Sequence, residues 1–385
     1  MGVLTLTNLI PTIYEAMDTV SREQTGFIRS VTVDGNATRA AVGQSVLSPV
    51  VGPMAAEDLT PGNVPADTPN QTINNVGITI TKSRSVPFGL TGEENRGLNI
   101  AGTTDRINAD RIAQAIRTLA NEVEADLGAL FNRASRAIGT AAGTPFGTAG
   151  DLGDFARARR MMEENGAPLS DLRMVLGSTS MERLRGVQNT LFRVNEAGTD
   201  QLLRTGAVGT VQGFDVAWSP QVRAAVTVGT GTSYTSSAAA LTVGQTSIPV
   251  ITGSGTILAG DIITFANDPN QYVVATGVSA PGTIVIQEPG IRVAQGAATR
   301  VLTIVAATTR NMFFHRGAMV LAARAPAMPD GGDMADDVLT VQDPVSGLPF
   351  EFCVYRQKRQ IRWEVNLAWG VAAVQPRHMG LLIGA

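Results

Sequence analysis

Arg111-Ile-Ala-Gln-Ala-Ile-Arg-Thr-Leu-Ala-Asn-Glu-Val-Glu124 is the centre of a longer stretch, Thr103 to Ile138, around which the rest of the chain is read. Ile112, Ile116, Leu119, Val123, Leu127, Leu130 and Ala134 recur at alternating three- and four-residue steps, which places one apolar stripe on a single helical face. Arg111, Arg117, Asn121, Glu122 and Glu124 fall on the other face, expected to be solvated or paired. Thr104 or Asn108 can cap the start, and Gly139 is the expected stop. A helix of about 30 residues would run roughly 45 Å, at 1.5 Å per residue. Its charges exclude a membrane span, and the stripe lacks strict heptads. Such a helix suits either an ordinary globular core or a strut through a flat, extended subunit.

Length and composition narrow the classes. A chain of 385 residues allows two domains and an insertion, and a net charge of −3 argues against general polyanion binding. The cations are nearly all arginine, with Lys82 and Lys358 the lysines, a weak pointer to desolvated interfaces. One cysteine, Cys353, excludes an internal disulfide framework and is expected to be a small buried strand residue. The first basic residue is Arg22, Leu6 stands where a myristoylation signal needs Ser or Thr, and no apolar run approaches 18 residues. The expectation is a protein that is soluble when made, in a reducing compartment, with no membrane partner.

Upstream of the helix, Leu9 to Ser21 is amphipathic and short, with Ile10, Ile13, Tyr14 and Met17 on one face. Periodicity then vanishes from Val31 to Asn75, where Pro49, Pro53, Pro61, Pro65 and Pro69 forbid a helix and disfavour a central strand. A strand, Val76 to Val86, follows, so an extended arm returning as a hairpin limb fits better than disorder; Phe88 to Ala101 leads into the helix. Downstream, Asp154 to Asn165 reads as a helix, Leu172 to Leu176 as a strand, Ser178 to Arg185 as a capped helix, and Val211 to Val216 as a turn into a strand ending near Ser219-Pro220.

Charge collapses between Ala224 and Thr299, where only Asp261, Asp268, Glu288 and Arg292 are charged. Short alternating runs (Ala239–Val243, Ser247–Thr252, Asp261–Ala266, Gln271–Thr276, Thr283–Gln287) separated by turn residues predict a small antiparallel barrel or sandwich. A strand-like run, Asn311 to Ala323, resumes the host, followed by a Pro/Asp/Gly loop and strands Phe350–Gln357 and Ile361–Ala373. The apolar Leu381 to Ala385 is expected to be docked.

Motifs for chemistry are scarce. His315 and His378 lie in different contexts, leaving little material for a metal site or a nucleophile–histidine–acid triad, and His315 reads as structural. There is no phosphate-loop or nucleophile-elbow motif. Asp330, Asp333, Asp336 and Asp337 lack EF-hand spacing and read as a solvated loop. Arg356, Lys358, Arg359 and Arg362 are the densest basic cluster, which strand alternation would split between faces. No catalytic, cofactor-binding or metal residue is assigned, and no enzymatic activity is expected.

The order of these parts is similar to that of the major capsid (coat) proteins of tailed bacteriophages, with the Hong-Kong-97-type fold. The insertion brings it closest to the coat proteins of the podovirus P-twenty-two kind. Four stretches carry the likeness. Arg111–Glu124 resembles that family's spine helix, and Gln212-Gly-Phe-Asp215 with Ser219-Pro220 resembles the segment before its inserted domain. Ala259–Phe265 resembles the start of a strand in that domain, and Trp369–Arg377 resembles the closing strand. The resemblance implies an α+β fold with a spine helix, an extended loop, axial and peripheral domains and an inserted β-barrel. It divides the chain into an N-terminal arm (1–40), extended loop (41–95), spine helix and peripheral domain (96–150), first axial part (151–223), inserted barrel (224–304) and closing strands (305–385). The insertion is shorter than in the best-known member, which removes the basis for its long projecting loop.

The implied function is self-assembly, as hexamers and pentamers, into the icosahedral shell around a double-stranded DNA genome. A scaffolding protein, a portal, a decoration protein and non-specific contact with packaged DNA are implied partners; the setting is the virion, built in the host bacterial cytoplasm, with no cofactor. A β-rich, adhesin-like surface module is the alternative; it leaves the strut and the proline-rich arm unexplained. Some relatives weld subunits through a loop lysine; Lys82 lies on the matching limb but reads here as a solvated strand residue.

Overall fold

A computed structural model describes residues 11–17, 26–35, 38–50, 61, 74–101, 104–188, 206, 208–223 and 226–384. The long helix spans Thr104–Ala129, 26 residues. Its stripe does what the periodicity requires: Leu119, Val123 and Leu127 are fully buried, and Ile112 and Ile116 nearly so. They share one cluster with Leu321, Phe350, Phe352, Trp363, Val365, Leu367 and Trp369, so the helix lies across a sheet.

That sheet is 6-stranded and organised on one long strand, Gln360–Ala373. Lys82–Thr91 pairs antiparallel along one edge, from Thr91 opposite Gln360 to Lys82 opposite Trp369. The other edge is shared end to end by Pro349–Gln357 and Met319–Arg324. Thr32–Gly35 runs parallel to Met319–Arg324, and Asp337–Gln342 closes the far side.

A second, 12-stranded sheet begins with Thr210–Val211 and Phe214–Trp218 and continues through Leu172–Leu176, Thr309–His315, Met379–Gly384 and Arg136–Gly139. Helix Gly153–Glu164 covers it with Phe155, Ala158, Met161 and Met162. At Gly380 a Cβ would stand 2.0 Å from the Met161 methyl carbon and 2.4 Å from the Phe313 ring, so a larger residue there would displace both side chains. Arg136–Gly139 then pairs with Gln271–Thr276, and the sheet passes into the charge-poor segment. There the pairings form a ring: Thr232–Ser236 with Ser247–Ser254, Gly282–Ile286, Gln271–Thr276, Ile262–Phe265 and Leu302–Ile304 in turn. It closes through a bridge between Val301 and Thr235. Inside it, Tyr234, Ile248, Ile263, Phe265, Tyr272, Val274, Ile284, Ile286 and Leu302 form a separate apolar cluster.

The architecture is mixed α+β and strand-rich, and several local expectations need correction. The helix stops at Ala129, tightens into a 3-10 turn (Leu130–Arg133), and leaves Ile138 in a strand. Tertiary pairing overrides the periodicity there, since Ser135 donates to the Met379 carbonyl through both its N–H (3.0 Å) and its Oγ (2.7 Å). Gly139 ends that strand at φ +99°, with the Ile383 carbonyl against its α-carbon. The single strand read over Val76–Val86 is two, Asn74–Thr79 and Lys82–Thr91, the second belonging to the central sheet and followed by helix Gly92–Ala101. Asn311–Ala323 is likewise two strands in different sheets, divided by the turn Arg316–Ala318. Ala239–Val243 makes only an isolated bridge at Leu241, while Thr232–Ser236 and Leu302–Ile304 are ring strands the pattern had not marked. The expected helix Leu9–Ser21 is described over residues 11–17 as helix, and most of the proline-rich arm, 51–73 apart from Pro61, lies outside the described residues.

Candidate functional site

The groups that chemistry would need are placed apart or occupied. Cys353 is 1% exposed, and its thiol is pushed up to about 12, first by burial and then by neighbouring Glu351, which disfavours a thiolate. In the acidic loop, Asp333 accepts from the Tyr355 hydroxyl (2.5 Å), and Asp336 pairs with Arg356 at 2.7 Å. Arg362 pairs with Glu364 at 2.7 Å. Lys358 and Arg359 remain exposed at the turn into the long strand, on the rim of an open cleft of about 690 Å³ that reaches Leu90 and Glu93. Among the described residues, no group of three or more His, Cys, Asp or Glu is arranged to hold a metal ion. The histidines correct their reading: His315 and His378 meet edge to face, ring centroids 6.4 Å apart.

Among the described residues, one feature with unmet bonding capacity is the arm. Ser45–Val50 and Asn74–Thr79 form a hairpin in register from Ser45 opposite Thr79 to Val50 opposite Asn74. It forms a 2-stranded sheet of its own, with no third strand among the described residues. One face is anchored, because Ile78 and Ile80 are buried with Ala40, Val320, Ala322 and Ala368 on the central sheet. The other face leaves Leu47 63% exposed. An isolated two-stranded hairpin is marginal in water, and its free edges are templates for another strand.

The long helix holds the arm's root through the Asp126 carboxylate. Asp126 accepts from Lys82 Nζ at 2.7 Å and from Trp369 Nε1 at 2.8 Å, tying the start of Lys82–Thr91 and the long strand to the helix. Lys82 is thus half-buried and ion-paired, with its ammonium 5.8 Å from the Trp369 ring centroid, and is not simply solvated.

Glu124, expected on the outer face, is fully buried. Its carboxylate accepts from Phe27 N (3.0 Å), Ile28 N (2.8 Å) and Ser219 Oγ (2.7 Å), joining the N-terminal segment, the helix and the strand exit before the ring. Burial raises its pKa to about 7 against those donors, which favour the anion. Sequence spacing alone could not find it: the one hint was an acidic residue adjacent to the stripe residue Val123, with Ser219-Pro220 far downstream.

The ring is held to the host by a third polar group. Arg136 is 3% exposed and donates to Asn270 (2.9 Å), Glu164 (2.9 Å) and Asn165 (3.0 Å). Burial, opposed by Glu164, pulls its pKa below the ordinary arginine value.

No protein-family model matches the chain, and no curated protein matches it. The chain is similar in structure to phage capsids. A structure from Mycobacterium phage Che8 aligns with a TM-score of 0.48 and 12% identity over 93% of this chain and 91% of its own. The capsid of the cyanophage P-SCSP1u aligns at 0.46 and 12%, over 94% and 89%. A virus-like particle from Pyrococcus furiosus aligns at 0.42 and 10%, over 97% and 98%. Among the described residues, no helix is long and apolar enough to cross a membrane.

Proposed function

We propose that the chain is the major capsid protein of a tailed bacteriophage, with the Hong-Kong-97-type fold, assembling as hexamers and pentamers into the shell around double-stranded DNA. The observation that carries this reading is the hairpin arm: a two-stranded sheet rooted firmly on one face, with Leu47 exposed on the other, and with no third strand among the described residues. Such an element gains its missing contacts from a neighbour, so that ordering and assembly occur together. The segments resembling the coat family support the same reading. Arg111–Glu124 lies on the long helix, Gln212–Asp215 turns into the strand before the ring, Ile262–Phe265 is a ring strand and Trp369–Ala373 ends the long strand.

The ring is read as an inserted β-domain, residues 224–304, with its own core, docked on the host through Arg136 and the Gln271–Thr276 strand. Residues 1–40 serve as the N-terminal arm, 41–95 as the extended loop, 96–150 as the spine helix and peripheral domain, and 151–223 with 305–385 as the axial part and closing strands. A scaffold, a portal and packaged DNA are the partners this role implies, with room for a decoration protein, in a virion assembled in the bacterial cytoplasm. Residues 51–73 replaced by a short Gly/Ser turn test the reading. Circular dichroism should keep the helical signal, while negative-stain microscopy should find shells or capsomers for the natural chain and none for the shortened one. A natural chain that stays monomeric with a scaffolding protein present would overturn it.

A further inference from the structure

The stretches Thr309–Arg324 and Ala368–Gly384 run antiparallel through both sheets as one ribbon. In the second sheet Thr309 faces Gly384 and Phe314 faces Met379; in the first, Met319 faces Ala373 and Arg324 faces Ala368. Between the halves, residues 315–318 face residues 374–378, so the register slips by one residue, as at a β-bulge, where a ribbon bends. Val374 N and Gln375 N both donate to the Ala318 carbonyl, at 2.8 and 3.2 Å, and hold the two crossings together.

The chain's two histidines sit at this bend, one on each crossing. His315 ends its strand; its Nδ1 accepts the Gly317 N–H at 3.1 Å and sets the turn Arg316–Ala318. His378 ends the opposing turn, Pro376–His378, with its ring edge-on to His315 at 80°. A nitrogen that accepts there is unprotonated. Adding a proton turns an acceptor into a donor facing a donor, and charging both rings sets like charges side by side.

We propose that His315 and His378 form a proton-operated joint: neutral, they lock the bulged ribbon between the two sheets, and protonated, they release the turn and free the sheets to change their mutual angle.

Asp171 accepts from Arg316 N through its carbonyl (3.2 Å), and its carboxylate, paired with Arg173, is the acidic group favouring a charged His315. Arg316 donates to the Val31 carbonyl at 3.4 Å, and Arg377 pairs with Glu288 of the ring at 3.0 Å. Burial lowers both imidazole pKa values below the ordinary 6.5; for His378, His315 and Arg377 lower it further. The neutral joint's contribution is therefore complete above pH 6.5 and lost as pH falls through the lowered values.

Hydrogen–deuterium exchange by mass spectrometry on the full chain, at pH 7.5 and pH 5.0 and corrected for intrinsic exchange, tests the joint. Protection of peptides covering 315–319 and 374–379 should fall at least tenfold at pH 5.0, while 360–366 keeps its protection. A His315→Gln/His378→Gln variant should show equal protection at both pH values. In proton NMR, the natural chain's histidine signals should both titrate below 6.5, and His315→Gln should shift the remaining His378 titration upward. Unchanged protection at pH 5.0, equal acid loss in the double variant, or two independent titrations at 6.5 would each overturn the proposal. None of these readouts depends on whether shells form.

Discussion

The arm hairpin and the ring are both β-structures without helical periodicity, and they manage their surfaces in opposite ways. The ring's pairings return on themselves around Phe265, Tyr272 and Ile284, so its inward-facing apolar residues are buried within the chain, while Ile251 and Val301 stay exposed outside. The hairpin has one buried face, on Ile78 and Ile80, and leaves Leu47 in solvent. Mutations in the ring should therefore cost stability, and mutations on the hairpin's outer face should cost association while sparing the fold.

The largest effect that sharpens this contrast is expected at Phe265, 2% exposed inside the ring. Phe265→Ala should lose about 3–5 kcal/mol. Urea unfolding should register that loss while far-UV dichroism at low denaturant keeps its helical component. A loss below about 1 kcal/mol would mean the ring core is not packed as a unit.

Glu124 comes next, as the group fastening the host helix to the segments on either side. Glu124→Ala leaves the Phe27, Ile28 and Ser219 donors buried without an acceptor, a cost of roughly 3 kcal/mol. The folded carboxyl binds its proton near pH 7 and the unfolded one near the ordinary 4.5, so the folded state holds more protons between them. Its contribution is complete below about 4.5 and fades as pH rises through 7, by on the order of 1–3 kcal/mol. Melting curves from pH 4.5 to 8 should show that decline in the natural chain and its absence in Glu124→Gln; matching slopes would refute the assignment.

A smaller loss is expected at Tyr272, whose hydroxyl donates to Asp268 (2.7 Å) and accepts from Arg292 N (3.0 Å). Tyr272→Phe should cost about 1–2 kcal/mol in chemical denaturation, without altering the helix. Smallest in stability is Leu47→Asp, within about 0.5 kcal/mol. If the hairpin serves a neighbour, this change should nonetheless prevent particles from forming in microscopy; a variant that assembles normally would break the comparison.

How much of this was legible in the sequence depended on the range of the forces involved. The stripe from Ile112 to Leu127, helix Gly153–Glu164, and strands Leu172–Leu176 and Gln271–Thr276 follow from periodicity and turn residues, because local geometry decides which face is apolar. The collapse of charge marked the ring segment, since a self-contained apolar core leaves little room for charged residues. Other features were settled by contacts between distant residues. Glu124 is buried because Phe27, Ile28 and Ser219, about a hundred residues away along the chain, bring donors to it. The run from Asn311 to Ala323 reads as one strand because both halves are apolar; the bend at 316–318 exists because the paired stretch 368–384 carries one more residue. The histidines show the same limit. Sixty-three positions separate 315 from 378, and the register between two strands far apart in the chain sets their rings edge to face.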